Sequence, residues 1–203
     1  WLTATTAQKY RERLKSKSFY NSDSLNEKCW DIHAVYIPEQ KIDVPQESIR
    51  LKEIMDRYDC VNVFLSEGAG VDNIISDLES KGTQVRRDAF GHVRLDEINP
   101  GKWYANKIAD WTNAKKILVQ KSGYFARSAA PNQNDISLID KISDKAVDYA
   151  LQKRSGVAGL SDDHGQNISC IDFTKIKGGK PFDYNQTWYL KMLNEIGQKK
   201  DRK

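Results

Sequence analysis

Val61-Asn62-Val63-Phe64-Leu65-Ser66-Glu67-Gly68 is a short apolar run that stops at a serine, an acid and a glycine. Its β-branched and aromatic residues predict a strand over 61–65, ended by a turn. On its amino-terminal side, Leu51, Ile54, Met55 and Tyr58 recur at one helical face, with Pro45 just before them. Further back, Ile32-His33-Ala34-Val35-Tyr36-Ile37 reads as another strand, stopped by Pro38. Beyond the turn, Val71, Ile74, Ile75 and Leu78 form a second helical stripe that meets Gly82. Strand, helix, strand, helix is the alternation of parallel α/β structure, and strands this apolar imply burial on both faces.

The pattern continues outward. Ile117-Leu118-Val119 predicts a third strand, followed by a glycine-bearing turn and a helix carrying Ile139, Ile142, Ala146 and Ala150. Two more strands are expected at Gly156–Leu160 and Ile168–Asp172, then a last helix with Tyr189, Met192, Leu193 and Ile196 before Gly197. Residues 83–102 are the least periodic and read as an excursion from the sheet. The fold class expected is therefore α/β, a parallel sheet flanked by helices.

Composition narrows the function classes. The 203 residues carry Lys+Arg 32 against Asp+Glu 28, a net charge of +4, with 39% hydrophobic residues. That excess is small and dispersed, so it gives no footprint for nucleic acid; the basic run Gln198–Lys203 reads as a frayed end. No apolar stretch approaches the roughly 20 residues of a membrane span. Cys29, Cys60 and Cys170 lie far apart with no metal-ligand spacing, which reads as reduced and cytoplasmic. Trp1 opens directly into Ala7, Tyr10 and Leu14 at helical spacing, so a piece of a larger protein is expected.

In an open parallel sheet, ligands gather at the carboxyl ends of strands. Polar chemistry falls at three such ends: Pro38-Glu39, Ser66-Glu67-Gly68, and Lys121-Ser122-Gly123-Tyr124-Phe125-Ala126-Arg127-Ser128. If these strands are neighbours, Glu67, Tyr124 and Arg127 face one crevice. A carboxylate accepts sugar hydroxyls and a guanidinium holds phosphate by paired hydrogen bonds, a set suited to a polyol bearing an anion. Gly68 and Gly123 let backbone approach such a ligand. By spacing alone, Glu67 reads more simply as a solvated strand-end acid, and Tyr124 with Arg127 as a structural pair at a turn.

The run Gln120-Lys121-Ser122-Gly123-Tyr124-Phe125-Ala126-Arg127-Ser128-Ala129-Ala130-Pro131-Asn132 resembles phosphofructokinases, particularly the pyrophosphate-dependent kind. In that family a strand ends in a Gly-(Tyr or His)-x-x-Arg turn that grips fructose 6-phosphate. Leu65-Ser66-Glu67-Gly68 is similar to the family's strand-end glutamate, and Asp88-Ala89-Phe90-Gly91-His92 and Asn99-Pro100-Gly101 resemble segments between the two motifs. Trp1-Leu2-Thr3-Ala4 resembles the helix after the family's Met-Gly-Arg substrate motif, so the match covers nearly the whole chain in the right order.

What the resemblance implies is a C-terminal sugar-phosphate-binding part of an enzyme that phosphorylates fructose 6-phosphate to fructose 1,6-bisphosphate in glycolysis. Glu67 accepts hydrogen bonds from fructose hydroxyls, Tyr124 and Arg127 bind the sugar phosphate, and Phe125 and Ala126 shape the turn. Residues 1–127 become the fructose 6-phosphate-binding domain, 128–178 a segment crossing back to the donor-binding domain, and 179–203 a C-terminal helix and tail. The fold is then phosphofructokinase-like and incomplete without an N-terminal half. The family's Gly-Gly donor motif, its Thr-x-Asp base and its metal-binding acids do not occur in these residues. Mg²⁺, the catalytic base and the donor site are therefore expected in the other half, which is also the expected partner, within a homo-oligomer. A segment on its own is expected to be inactive and to expose apolar sheet edges. Two other readings stand beside this one: a non-catalytic sugar-phosphate-binding regulatory module, and an ATP-dependent phosphofructokinase.

Other residues read as structural. His33, inside an apolar strand, is expected to be a satisfied core histidine; Trp103-Tyr104 and Trp188-Tyr189 are expected in a core or interface. Glu39 falls where some ATP-dependent members place an effector-site acid, with nothing else in support of regulation. His92, the Asp162-Asp163-His164 cluster and the Gly178-Gly179-Lys180-Pro181 turn lack the spacing or context of a metal or phosphate site.

Overall fold

The structure, a computed structural model, describes residues 1–16, 29–87, 94, 98–123, 128–161, 167–176 and 181–198. In chain order the elements are α1 (Leu2–Ser16), β1 (Ala34–Tyr36), α2 (Val44–Tyr58), β2 (Val63–Leu65), α3 (Val71–Ser80), α4 (Pro100–Thr112), α5 (Gln133–Leu151), β3 (Val157–Ser161), β4 (Asn167–Ile171), a 3₁₀ turn (Phe173–Lys175) and α6 (Thr187–Glu195). They form two compact units, Trp1–Val119 with Pro181–Lys203, and Gln120–Lys180.

In the first unit, β1 and β2 pair in parallel with Ala34 opposite Val63 and Tyr36 opposite Leu65. Side chains alternate along β1, so its two faces enter different cores. Val35 and Ile37 join Ala4 and Ala7 of α1 and Tyr189, Met192 and Leu193 of α6. Ala34 and Tyr36 join Leu51 of α2, Ile74 of α3 and Tyr104 of α4. All three β1 residues are buried, the double coverage that its apolar sequence demands. The edge of β1 is closed by a side chain: Gln198 accepts from the Val35 N–H at 2.8 Å and donates to the Val35 carbonyl at 3.0 Å. An amide thus takes the place of a neighbouring strand and leaves no open edge there.

Helix boundaries follow local chemistry. The Asp43 carboxylate accepts from the Gln46 N–H at the start of α2, with Pro45 in the first turn. After α3 the chain reverses at Gly82, φ +75°, where the Thr83 N–H bonds back to Leu78. Two ion clusters tie distant segments together. Arg11 forks onto Asp31 and also reaches Glu195 of α6 at 2.7 Å. Arg50 forks onto Glu47 and donates to the carbonyls of His33 and Ile196.

Three expectations need correction. Ile117–Val119 is not a strand; Leu118 is 85% exposed, and no described segment offers it a backbone ladder, without which a strand does not form. The two late strands do not extend a parallel sheet: β3 and β4 pair antiparallel with each other, Val157 opposite Ile171. The interval between them is too short for the crossover that parallel pairing needs. Gln198, read as the start of a frayed end, is instead buried and hydrogen-bonded to Val35 of β1, because that strand edge offers an unpaired N–H and carbonyl.

In the second unit α5 forms as its periodicity requires, opened by a reciprocal capping box between Asn132 and Asp135. The Tyr149 hydroxyl of α5 donates to the Ile168 carbonyl of β4. Yet α5 buries none of its side chains, and Ile139, Val147 and Leu151 stand exposed.

Candidate functional site

Parallel pairing brings the carboxyl ends of β1 and β2 side by side, so the two turns that follow are neighbours. A Cβ added to Gly68 would lie 3.2 Å from the Pro38 side chain, which measures how closely the turns approach. Glu67 occupies the middle of the β2 turn and is exposed. The turn is pinned before it, where the Ser66 N–H donates to the Tyr36 carbonyl at 2.9 Å, and closed by the Ala69 N–H on Ser66 at 3.0 Å. Ala69 itself is fully buried.

The far end of the turn is held by α4. Gly70 takes φ +61°, and a Cβ there would fall 1.8 Å from the Tyr104 hydroxyl, so glycine is required on both counts. Tyr104 donates its hydroxyl to the Gly70 carbonyl at 3.2 Å and accepts from Asn73 Nδ2 at 3.2 Å. Asn73 also donates to the Ile42 carbonyl at 3.1 Å. Burial pushes the Tyr104 phenol above its ordinary pKa, so it stays a neutral donor. Behind it, Tyr36 donates to Glu47 at 2.5 Å, and burial first, then the Glu47 charge, raises that phenol well above its usual range.

On the neighbouring β1 turn, Glu39 Oε1 accepts from the Phe182 N–H at 2.8 Å, while its buried Oε2 has no hydrogen-bond partner among the described residues. The outer side of α3 is clamped to α4 through Asp77, which accepts from Lys81, Lys107 and the Trp103 indole. Those donors, Lys81 foremost, hold the Asp77 carboxyl well below the usual range. A concavity of about 600 Å³ lined by Glu79, Gln84, Val85, Arg86, Arg87 and Arg94 lies beyond the C-terminal end of α3, at the opposite end of that helix from Glu67.

Of the expected site residues, the structure places Glu67 on an anchored strand-end turn. Tyr124, Phe125, Ala126 and Arg127 lie outside the described residues, as do His92 and the Asp162-Asp163-His164 cluster. His33 is buried as expected, its Nδ1 accepting from the Asn62 N–H at 2.9 Å. Tyr104 and Tyr189 are core residues, 1% and 0% exposed. No three His, Cys, Asp or Glu side chains converge as a metal site among the described residues. Nor is any helix among them long and apolar enough to cross a membrane. Sequence reasoning missed α4 and the two supports of the turn, Tyr104 of α4 and Asn73 of α3. The signal was there in Asn99-Pro100, an N-cap and a first-turn proline in succession.

Parallel strands flanked by helices make the first unit an α/β structure, with an anchored, acid-bearing turn at a strand end. Comparison with known proteins takes this further. The chain is 48% identical over 200 residues to the pyrophosphate–fructose 6-phosphate 1-phosphotransferase of Methylotuvimicrobium alcaliphilum, covering 98% of the chain and 49% of that relative. It is 48% identical over 203 residues to the protein of the same name from Methylomonas methanica, and 44% identical over 203 residues to that from Mastigamoeba balamuthi. Both of those alignments cover 100% of the chain and 50% of the relative. No protein-family model matches the chain. The chain spans about half the length of the curated relatives it matches and aligns with their C-terminal half. Along its whole length the chain is thus similar to one half of proteins named pyrophosphate–fructose 6-phosphate 1-phosphotransferase.

Proposed function

We propose that this chain is the sugar-phosphate-binding half of a pyrophosphate-dependent phosphofructokinase, which moves a phosphoryl group from pyrophosphate to the 1-hydroxyl of fructose 6-phosphate. The observation that carries the reading is full-length similarity, at 44–48% identity, to four relatives that bear that enzyme's name. The anchored Glu67 turn supports it, because a fixed strand-end carboxylate suits the hydroxyls of a sugar. Phosphoryl transfer depends on positioning and electrostatics more than on covalent chemistry of the protein. Positioning is the part this chain supplies: Glu67 accepts hydrogen bonds from fructose hydroxyls, Tyr124 and Arg127 hold the phosphate, and Phe125 and Ala126 shape their turn.

Mg²⁺ serves in this reading to neutralise charge on the donor. In the family that the chain resembles, the metal-binding acids, the catalytic base and the donor motif precede this segment, so the same reading assigns them to the other half of the enzyme. The phosphofructokinase-like sheet is likewise completed by that half. The exposed apolar residues of α5 and of Ile117–Val119 support such a covering partner. Assembly into a homo-oligomer and a cytoplasmic location belong to the same reading. It is tested by donor use in the full-length enzyme: pyrophosphate supports formation of fructose 1,6-bisphosphate, whereas a strict preference for ATP, or no transfer at all, overturns it.

A further inference from the structure

We propose that Tyr104 is a positioning residue for substrate, acting through the turn that carries Glu67; the inference rests on the reading of Glu67 as the sugar-binding acid. Glu67 is exposed and its turn is short, so where its carboxylate stands is decided by how the two ends of residues 66–70 are held. One end is built into the sheet, through the Ser66 N–H on the Tyr36 carbonyl. The other end has no strand to hold it. Gly70 stands in a left-handed conformation at φ +61°, and its carbonyl accepts from the Tyr104 hydroxyl and from the Asn73 and Ile74 amides. The Tyr104 bond is the one that comes from outside α3. Its phenol is 1% exposed and oriented by Asn73 Nδ2, which donates to it at 3.2 Å.

A simple packing role would need the ring and not the hydroxyl. Phenylalanine would fill the same space against Tyr36, whose ring centre is 6.1 Å away, and against Trp103 at 4.8 Å. What it lacks is the donor to Gly70. Loss of that donor unties the second end of the turn from α4, leaving it on the Asn73 and Ile74 amides of α3, while the core stays filled; it therefore loosens Glu67 and leaves the rest of the unit in place.

The test uses Tyr104→Phe and Glu67→Gln, singly and together, in the full-length enzyme. Tyr104→Phe is expected to raise the KM for fructose 6-phosphate about three- to tenfold, the scale of one hydrogen bond, with kcat little changed. Added to Glu67→Gln, it is expected to raise KM no further. Amide hydrogen exchange over residues 66–74 is expected to quicken in Tyr104→Phe, while that over Ala34–Tyr36 stays slow. Asn73→Ala, which removes the group that orients the phenol, is expected to act in the same direction and serves as the second variant should Tyr104→Phe not fold. Unchanged exchange over 66–74 overturns the anchoring role whatever Glu67 does. Faster exchange with unchanged KM, where Glu67→Gln does raise KM, overturns the link to substrate. If Glu67→Gln itself leaves KM unaltered, the underlying reading of that acid fails.

Discussion

In the proposed reading, Glu67 and Arg127 stand for two kinds of recognition. The carboxylate would accept hydroxyl hydrogen bonds, which orient a sugar at modest gain. The guanidinium pairs with a phosphate, and removing one partner of a desolvated charge pair leaves the other uncompensated, at a cost of about 2–5 kcal/mol. Arg127→Ala in the full-length enzyme is therefore expected to weaken the use of fructose 6-phosphate on that scale, read as a raised Michaelis constant; an unchanged constant contradicts the assignment. Both residues were singled out from the sequence, Glu67 because an apolar run stops before it, Arg127 through the resemblance of the motif around Gly123 and Tyr124; the structure describes the turn of Glu67, and Arg127 lies outside the described residues. Tyr104 was not legible as more than a core aromatic. Its hydroxyl meets Gly70, 34 positions earlier in the chain, and nothing local in the sequence records such a contact.

Among the elements, α2, α3 and α5 were legible from their apolar stripes, with Pro45 in the first turn of α2 and Gly82 after α3; α4 was passed over despite its cap at Asn99 and Pro100. What else failed depended on partners. Ile117–Val119 has the composition of a strand but finds no ladder, and β3 with β4 chose each other, because pairing is a property of neighbours and not of the segment. Contacts between elements distant in sequence carry a pH signature. Glu195 of α6 binds Lys15 and Arg11 of α1, and these donors, Lys15 first, hold its carboxyl below the ordinary value. A lowered folded pKa contributes stability above the unfolded value of about 4.3, and that stability is lost as pH falls through the folded one. The melting-temperature advantage of the native chain over Glu195→Gln should therefore be constant near neutrality and shrink under acid; an advantage that grows under acid contradicts a stabilising role for these ion pairs.

At the scale of the whole molecule, apolar surface is distributed unevenly. The first unit buries β1 on both faces and closes its edge with Gln198. The second unit leaves α5 without a buried side chain and exposes Val157, Leu160, Phe173 and Ile176. Surface of that kind seeks a cover. This 203-residue chain, prepared alone, should self-associate in light scattering and be relieved by supplying the other half of the enzyme; a monodisperse, well-folded lone monomer contradicts that account. Such exposure was foreseeable from the sequence only through the resemblance, since periodicity announces an apolar face without saying what lies against it.

The most direct measurement of the central claim is phosphoryl-donor use. Given fructose 6-phosphate and Mg²⁺, the full-length enzyme should form fructose 1,6-bisphosphate and inorganic phosphate from pyrophosphate, and little or none with ATP. Product formed from ATP alone, or no product from either donor, would contradict it.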